Sequence, residues 1–132
     1  MDLNIESVLD ESNVSYQPIS KSQKIKLLAK WGEYFPELSN NSKRWEDREC
    51  LQDDEAWMAF SKLETFEFFL LPLDMYPSFQ CSAQQAPDLR ILTDDGYSSC
   101  DQVVLLSTDF SWTLVMVNLT TLVGSYFLAR QD

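Results

Sequence analysis

Residues 101–130 read Asp-Gln-Val-Val-Leu-Leu-Ser-Thr-Asp-Phe-Ser-Trp-Thr-Leu-Val-Met-Val-Asn-Leu-Thr-Thr-Leu-Val-Gly-Ser-Tyr-Phe-Leu-Ala-Arg. Residues 103–106 and 112–117 are rich in β-branched and aliphatic residues. Between them, Ser107, Thr108, Asp109 and Ser111 offer short polar side chains that bond turn backbone. This pattern predicts a β-hairpin, a turn through 118–121, and a third strand over 125–129. Leu114 and Met116 alternate with Val115 and Val117, so both faces of the second strand are apolar. A strand of that kind is central and covered on both sides. The meander is therefore expected to form the middle of a sheet, with Trp112 in the core, and the earlier segments to supply the cover.

Working upstream, Asp95-Gly96 is the strongest turn signal in the chain and marks a loop over 93–99. Residues 87–92 predict a short strand or a turn of helix. Residues 78–86 are polar and predict a short helix or an irregular crossing. The aromatic and aliphatic run 65–71 predicts a strand. Asp53, Asp54 and Glu55 open a helix to about residue 63, their charge offsetting the positive end of the helix dipole. Its apolar side is Ala56, Trp57, Ala59, Phe60 and Leu63. Residues 43–51 hold Glu and Arg at pairing distance on a helix surface. A helix before Pro36 is capped by Ser20 or Ser22 and presents Ile25, Leu27, Leu28, Trp31 and Tyr34 on one face. Its lysines, from Lys21 to Lys30, read as a solvated stripe. Residues 1–18 predict a short helix or a loose N-terminal arm closed by Pro18. Helices precede strands, so the fold class is α+β: N-terminal helices packed on a mostly antiparallel sheet with a C-terminal β-meander, in one domain over 1–132.

Ten basic residues stand against 21 acidic ones, a net charge of −11. That balance excludes nucleic acid as a direct ligand, since phosphate binding needs a basic footprint. It also excludes an anionic membrane surface. It favours association with a basic protein by electrostatic steering. There is no histidine, which removes the commonest general base and the commonest metal ligand together. Cys50, Cys81 and Cys100 form no Cys-x-x-Cys pair, so no zinc site is expected and the three read as free thiols. Three glycines form no phosphate loop, and no cofactor is expected. The first residues, Met-Asp-Leu-Asn-Ile-Glu, lack the apolar core of a signal peptide. The longest apolar runs fall short of the ~20 residues that cross a bilayer. The expected setting is the cytoplasm. Among 21 acids some cluster by chance: Asp53, Asp54, Glu55, Asp94, Asp95 and Asp101 are the candidates for carboxylate chemistry, and turn formation is the ordinary role of Asp94 and Asp95.

Asp109-Phe110-Ser111-Trp112-Thr113-Leu114-Val115, followed by Gly124-Ser125-Tyr126-Phe127, resembles the C-terminal signature of a group of small bacterial proteins in which an Asp-Phe-Thr-Trp-Thr-like strand precedes a Gly-Pro-Tyr-Phe-like end. A helix near 55–60 and an aromatic strand near 66–71 extend the similarity upstream. Where that group has a Thr-His-Glu triplet, this chain has Val117-Asn118-Leu119. The protein is also similar in character to bacterial immunity proteins, the small acidic partners that neutralise toxins of contact-dependent inhibition systems. The resemblance implies stoichiometric binding of a cognate toxin, a basic nuclease-like domain, and no catalysis. The residues expected to carry it are Asp53, Asp54 and Glu55 at a helix start, and Asp94, Asp95, Tyr97 and Asp101 around the Asp-Gly turn. The alternatives are a DNA-mimicking inhibitor, which needs carboxylates in two rows, and a histidine-free carboxylate enzyme, which needs two buried acids in a pocket.

Overall fold

The computed structural model describes residues 5–36, 50–73, 77–93, 101–119 and 122–130. The elements are helix α1 (Ile5–Glu11), strand β1 (Ser15–Ile19), helix α2 (Lys21–Tyr34), strand β2 (Leu51–Gln52), helix α3 (Asp54–Ser61), strands β3 (Phe66–Pro72) and β4 (Ser78–Ala83), a 3-10 turn (Arg90–Thr93), and strands β5 (Gln102–Ser107), β6 (Trp112–Leu119) and β7 (Leu122–Ala129). The seven strands form one sheet in the order β1-β4-β3-β5-β6-β7-β2, antiparallel throughout. This is the expected α+β class, with the meander β5-β6-β7 at its C-terminal end.

Both faces of the sheet are covered, as the two-sided apolar pattern requires. Phe68, Leu70, Val103, Leu105, Leu114 and Met116 turn to one face, beneath α1, α3 and the 3-10 turn. Phe69, Leu71, Val104, Leu106, Val115 and Val117 turn to the other, beneath α2. Trp112 is buried in the first of these cores. On its far side, Phe60 meets Trp57, Phe66, Phe68 and Trp112 at ring-centroid distances of 5.6, 5.4, 6.3 and 5.4 Å, all edge-on. Aromatic rings favour that arrangement because the positive edge of one meets the negative face of another.

Several local expectations are refined. Residues 5–18 form no loose arm: Ile5, Val8 and Leu9 of α1 are buried, and the chain continues into edge strand β1. Pro18 does not end that segment but lies inside the strand, opposite Phe79 of β4. An edge strand tolerates proline because one row of its backbone groups needs no partner. Residues 78–83 are strand β4, not helix or irregular crossing. Phe79 and Cys81 face the core while Gln80 and Ser82 face solvent, a period-two alternation that is legible only when cysteine is counted as a small hydrophobe. Asn118 and Leu119, expected in the turn after β6, still pair with β7. Residues 90–93 take the helical-turn alternative. Residues 43–49, with their Glu and Arg pairs, lie outside the described residues.

Helix α2 begins as the sequence indicates: Ser20 accepts a hydrogen bond from the backbone N–H of Gln23 at 3.1 Å. Leu27 and Trp31 are buried, but Ile25 is 68% exposed and does not belong to the packing face. Two polar and aromatic contacts hold the helix in place. Trp31 Nε1 donates to Thr113 Oγ1 at 3.1 Å, and the Tyr34 ring stacks on Phe110 at 5.3 Å. The Arg130 guanidinium covers the Tyr34 ring at 4.3 Å.

The β5–β6 turn shows why Ser107-Thr108-Asp109-Phe110-Ser111 reads as turn sequence. Ser107 Oγ accepts from the N–H groups of Ser111 and Trp112 at 2.7 and 3.0 Å. Asp109 Oδ1 accepts from Ser111 N at 3.1 Å and Ser111 Oγ at 2.6 Å. The Ser111 hydroxyl, foremost, holds the Asp109 carboxyl below its ordinary value of 3.8. A carboxyl lowered in the folded state stabilises above its unfolded value, and that contribution fades as pH falls through the lowered one. Asp109→Ala is therefore expected to lower the urea midpoint at neutral pH. The gap from wild type should close on acidification below 3.8. A gap that persists unchanged in acid would show that the charge is not what matters.

Candidate binding cleft

One end of the sheet, where β6 leaves and β7 enters, opens into a cleft of about 710 Å³. The C-terminal end of α1, the start of α3 and the 3-10 turn close around it. Among the described residues, four carboxylates line it, Glu11, Asp53, Asp54 and Asp88, against one guanidinium, Arg90. Trp57 lines it too, with only 8% of its surface exposed. Its indole Nε1 donates to Ser125 Oγ at 2.9 Å, which fixes the plane of the ring.

Asp53 has been taken out of its usual capping role. It stands at the N-cap of α3, yet its side chain makes no capping bond. The carboxylate instead accepts from Ser125 N at 3.2 Å, and the Asp53 N–H donates to Ser125 O at 2.7 Å. This ties the start of α3 to β7. The attachment holds Asp53 at φ 53°, a region that costs a non-glycine residue on the order of 1 kcal/mol or more. Gly124 makes the approach feasible, because a Cβ there would lie 3.0 Å from Asp53 Oδ1 and from Tyr126 Oη.

Asp54 and Asp88 are differently placed. Asp54 is on the first turn of α3 with 96% of its side chain exposed, and Asp88 is 72% exposed. Asp88 Oδ1 accepts from Arg90 N at 3.2 Å, an Asx-type contact two residues along the chain. Arg90 reaches both acids: its Nη1 is 3.7 Å from Asp54 Oδ1 and its Nε is 3.4 Å from Asp88 Oδ1. Its guanidinium carbon lies 5.5 Å from the centroid of the Trp57 ring.

Of the residues expected from sequence, Asp53 and Asp54 come together in this cleft. Glu55 is exposed on the same first turn but is not among the lining residues. Asp94, Asp95 and Tyr97 lie outside the described residues. The segment that holds them is bracketed by Thr93 and Asp101, and Asn118 bonds to both: its side chain donates to Thr93 O, and its backbone N–H donates to Asp101 O at 2.7 Å. Thr93 and Asn118 both line the cleft. Glu11, Asp88 and Arg90 were not expected. The signal available for Asp88 was its place after Pro87, two residues ahead of a turn N–H. Nothing in the sequence joins positions 11, 54 and 88.

Among the described residues no group of three or more acidic or cysteine side chains is arranged to hold a metal ion. Cys81 is a free thiol. Burial pushes the Cys81 thiol up to about 12, the opposite of what a reactive thiolate requires. Cys100 lies outside the described residues. No helix among the described residues is long and apolar enough to cross a membrane. In comparisons with known proteins, no family model, no curated protein and no solved structure matches this chain.

Proposed function

We propose that the protein is a cytoplasmic immunity-type binding protein that neutralises a cognate basic toxin domain by stoichiometric association. The observation that carries this reading is the cleft itself, which Glu11, Asp54 and Asp88 line together with Trp57 from three separate segments of the chain. Charge is unevenly distributed over the layers, which supports an oriented encounter. Four of the ten basic residues, Lys21, Lys24, Lys26 and Lys30, belong to α2, on the face of the sheet opposite α1 and α3. Among the described residues, α1 and α3 on the cleft side carry Glu6, Asp10, Glu11, Asp54 and Glu55, an arrangement that favours steering a basic partner to that side. Asp54 and Asp88 are largely in water. Exposed carboxylates of this kind suit the recognition of a cationic partner group.

The test is co-expression with the polypeptide encoded beside this protein, with complex formation and growth rescue as readouts. Asp54→Lys with Asp88→Lys is expected to slow association about tenfold or more at low salt, the scale of electrostatic steering, with the difference shrinking as salt rises. The thermal midpoint should stay within a few degrees of wild type, because exposed charges contribute little to stability. Unchanged kinetics would remove the cleft as the binding face. Neither complex nor rescue with the native chain would remove the immunity reading.

A further inference from the structure

The seat of Arg90 has the composition of a cation receptor. A fixed aromatic face lies on one side, the indole of Trp57 with its Nε1 bonded to Ser125. Two carboxylates from different segments reach the same guanidinium, Asp54 and Asp88, at 3.7 and 3.4 Å from its nitrogens. Aromatic faces attract cations through their quadrupole, and arginine stacks on them best because its planar guanidinium is weakly hydrated. Yet Arg90 is held loosely. Its side chain is 55% exposed and both ion pairs are long. Exposed pairs of this kind contribute little and exchange readily with water. The remaining cleft, about 710 Å³, has ample room for a second side chain.

We propose that the toxin partner enters this cleft with an arginine side chain, that this side chain takes the place over Trp57 between Asp54 and Asp88, and that Arg90 occupies the seat as an internal stand-in until then. The proposal deepens the immunity reading and rests on it. It identifies the partner's contact group by charge complementarity with the cleft: a protruding arginine on a basic surface. Arg90 leaves as the partner's arginine arrives, so the number of cations over Trp57 is conserved. The stand-in also lowers affinity for stray cationic peptides, because each must displace Arg90 first.

The test uses the full chain and a tetra-arginine peptide as probe, followed through the Trp57 indole N–H resonance, with Trp57→Phe serving to assign that signal. Removing the stand-in by Arg90→Ala, or by Arg90→Gln as an independent variant, is expected to tighten peptide binding about two- to fivefold, the worth of one cation–π contact at an exposed site. Adding Asp54→Asn and Asp88→Asn to Arg90→Ala should reverse that gain. If both Arg90 variants bind the peptide no tighter than wild type, or if the two carboxamide changes leave the gain intact, the stand-in does not exist. Toxin association separates this outcome from failure of the underlying reading. A wild-type complex that is weakened by charge reversal at Asp54 and Asp88, together with a peptide that ignores Arg90, overturns this inference alone.

Discussion

Phe60→Ala is expected to destabilise the protein by about 3–5 kcal/mol, the range for removing a buried aromatic ring from a core. The ring is 1% exposed and is the shared neighbour of Trp57, Phe66, Phe68 and Trp112. Its loss leaves a cavity that four large, rotamer-restricted side chains cannot close by small shifts. The thermal midpoint should fall by at least about 10 °C for a domain of this size. The internal control is Met58→Ala on the same helix, at a side chain 57% exposed, where the change should stay within about 0.5 kcal/mol. Equal shifts for the two variants would mean that α3 is not docked through Phe60. Because Trp57 belongs to the same aromatic cluster, Phe60→Ala should also loosen the floor of the cleft, so it is unsuitable for testing binding.

The second large effect is expected at Thr113. Its side chain is fully buried, accepts from Trp31 Nε1 at 3.1 Å and donates to Leu105 O at 2.8 Å. Thr113→Val keeps the shape and removes both bonds. The indole N–H of Trp31 is then buried without a partner, at a cost of about 1–3 kcal/mol. Few side chains of α2 are buried, Leu27 and Trp31, so this bond is a large share of what fixes the helix to its face of the sheet. The check is a double-mutant cycle. In a Trp31→Phe background the donor is gone, and Thr113→Val should cost clearly less than in wild type. Equal costs in both backgrounds would show that the bond is not coupled to helix docking.

These two sites mark what a sequence can and cannot disclose. The meander was legible because Leu114, Val115, Met116 and Val117 are apolar on both faces, a pattern only a covered central strand needs. Helix α3 was legible from its acidic first turn and from Trp57 and Phe60 at helical spacing. Strand β4 was not, because Ser-Phe-Gln-Cys-Ser-Ala carries two core-facing residues among polar ones and no turn signal on its far side. Strand β1 was hidden by Pro18, which ends most elements but is allowed on an edge. Ile25 fits the α2 periodicity and yet faces solvent, since spacing gives a face without fixing how far the sheet extends beneath it. At the cleft, Asp53 and Asp54 stood out through their place at a helix start. Glu11 and Asp88 did not, because their approach depends on the order of strands, and strand order is a property of the completed sheet. The same holds for Arg90, whose contacts to Trp57 and Asp54 join segments that share no local pattern.

The sheet order has a kinetic consequence. Between β4 and β7 each neighbouring pair except β3–β5 is a hairpin, with strand ends as close as Leu119 and Leu122. The two outer strands close longer loops than any central pair, β3–β5 included: β1 must wait for β4, and β2 for β7. Loop closure costs more as the loop grows, and contacts between distant segments form late. The central strands are thus set to assemble first from neighbours in the chain, and the two edges to be added last. Glu11 precedes β1, while Asp53 and Asp54 follow β2. The acidic rim of the cleft accordingly belongs to the last part of the molecule to form, and the cleft is complete only when folding is.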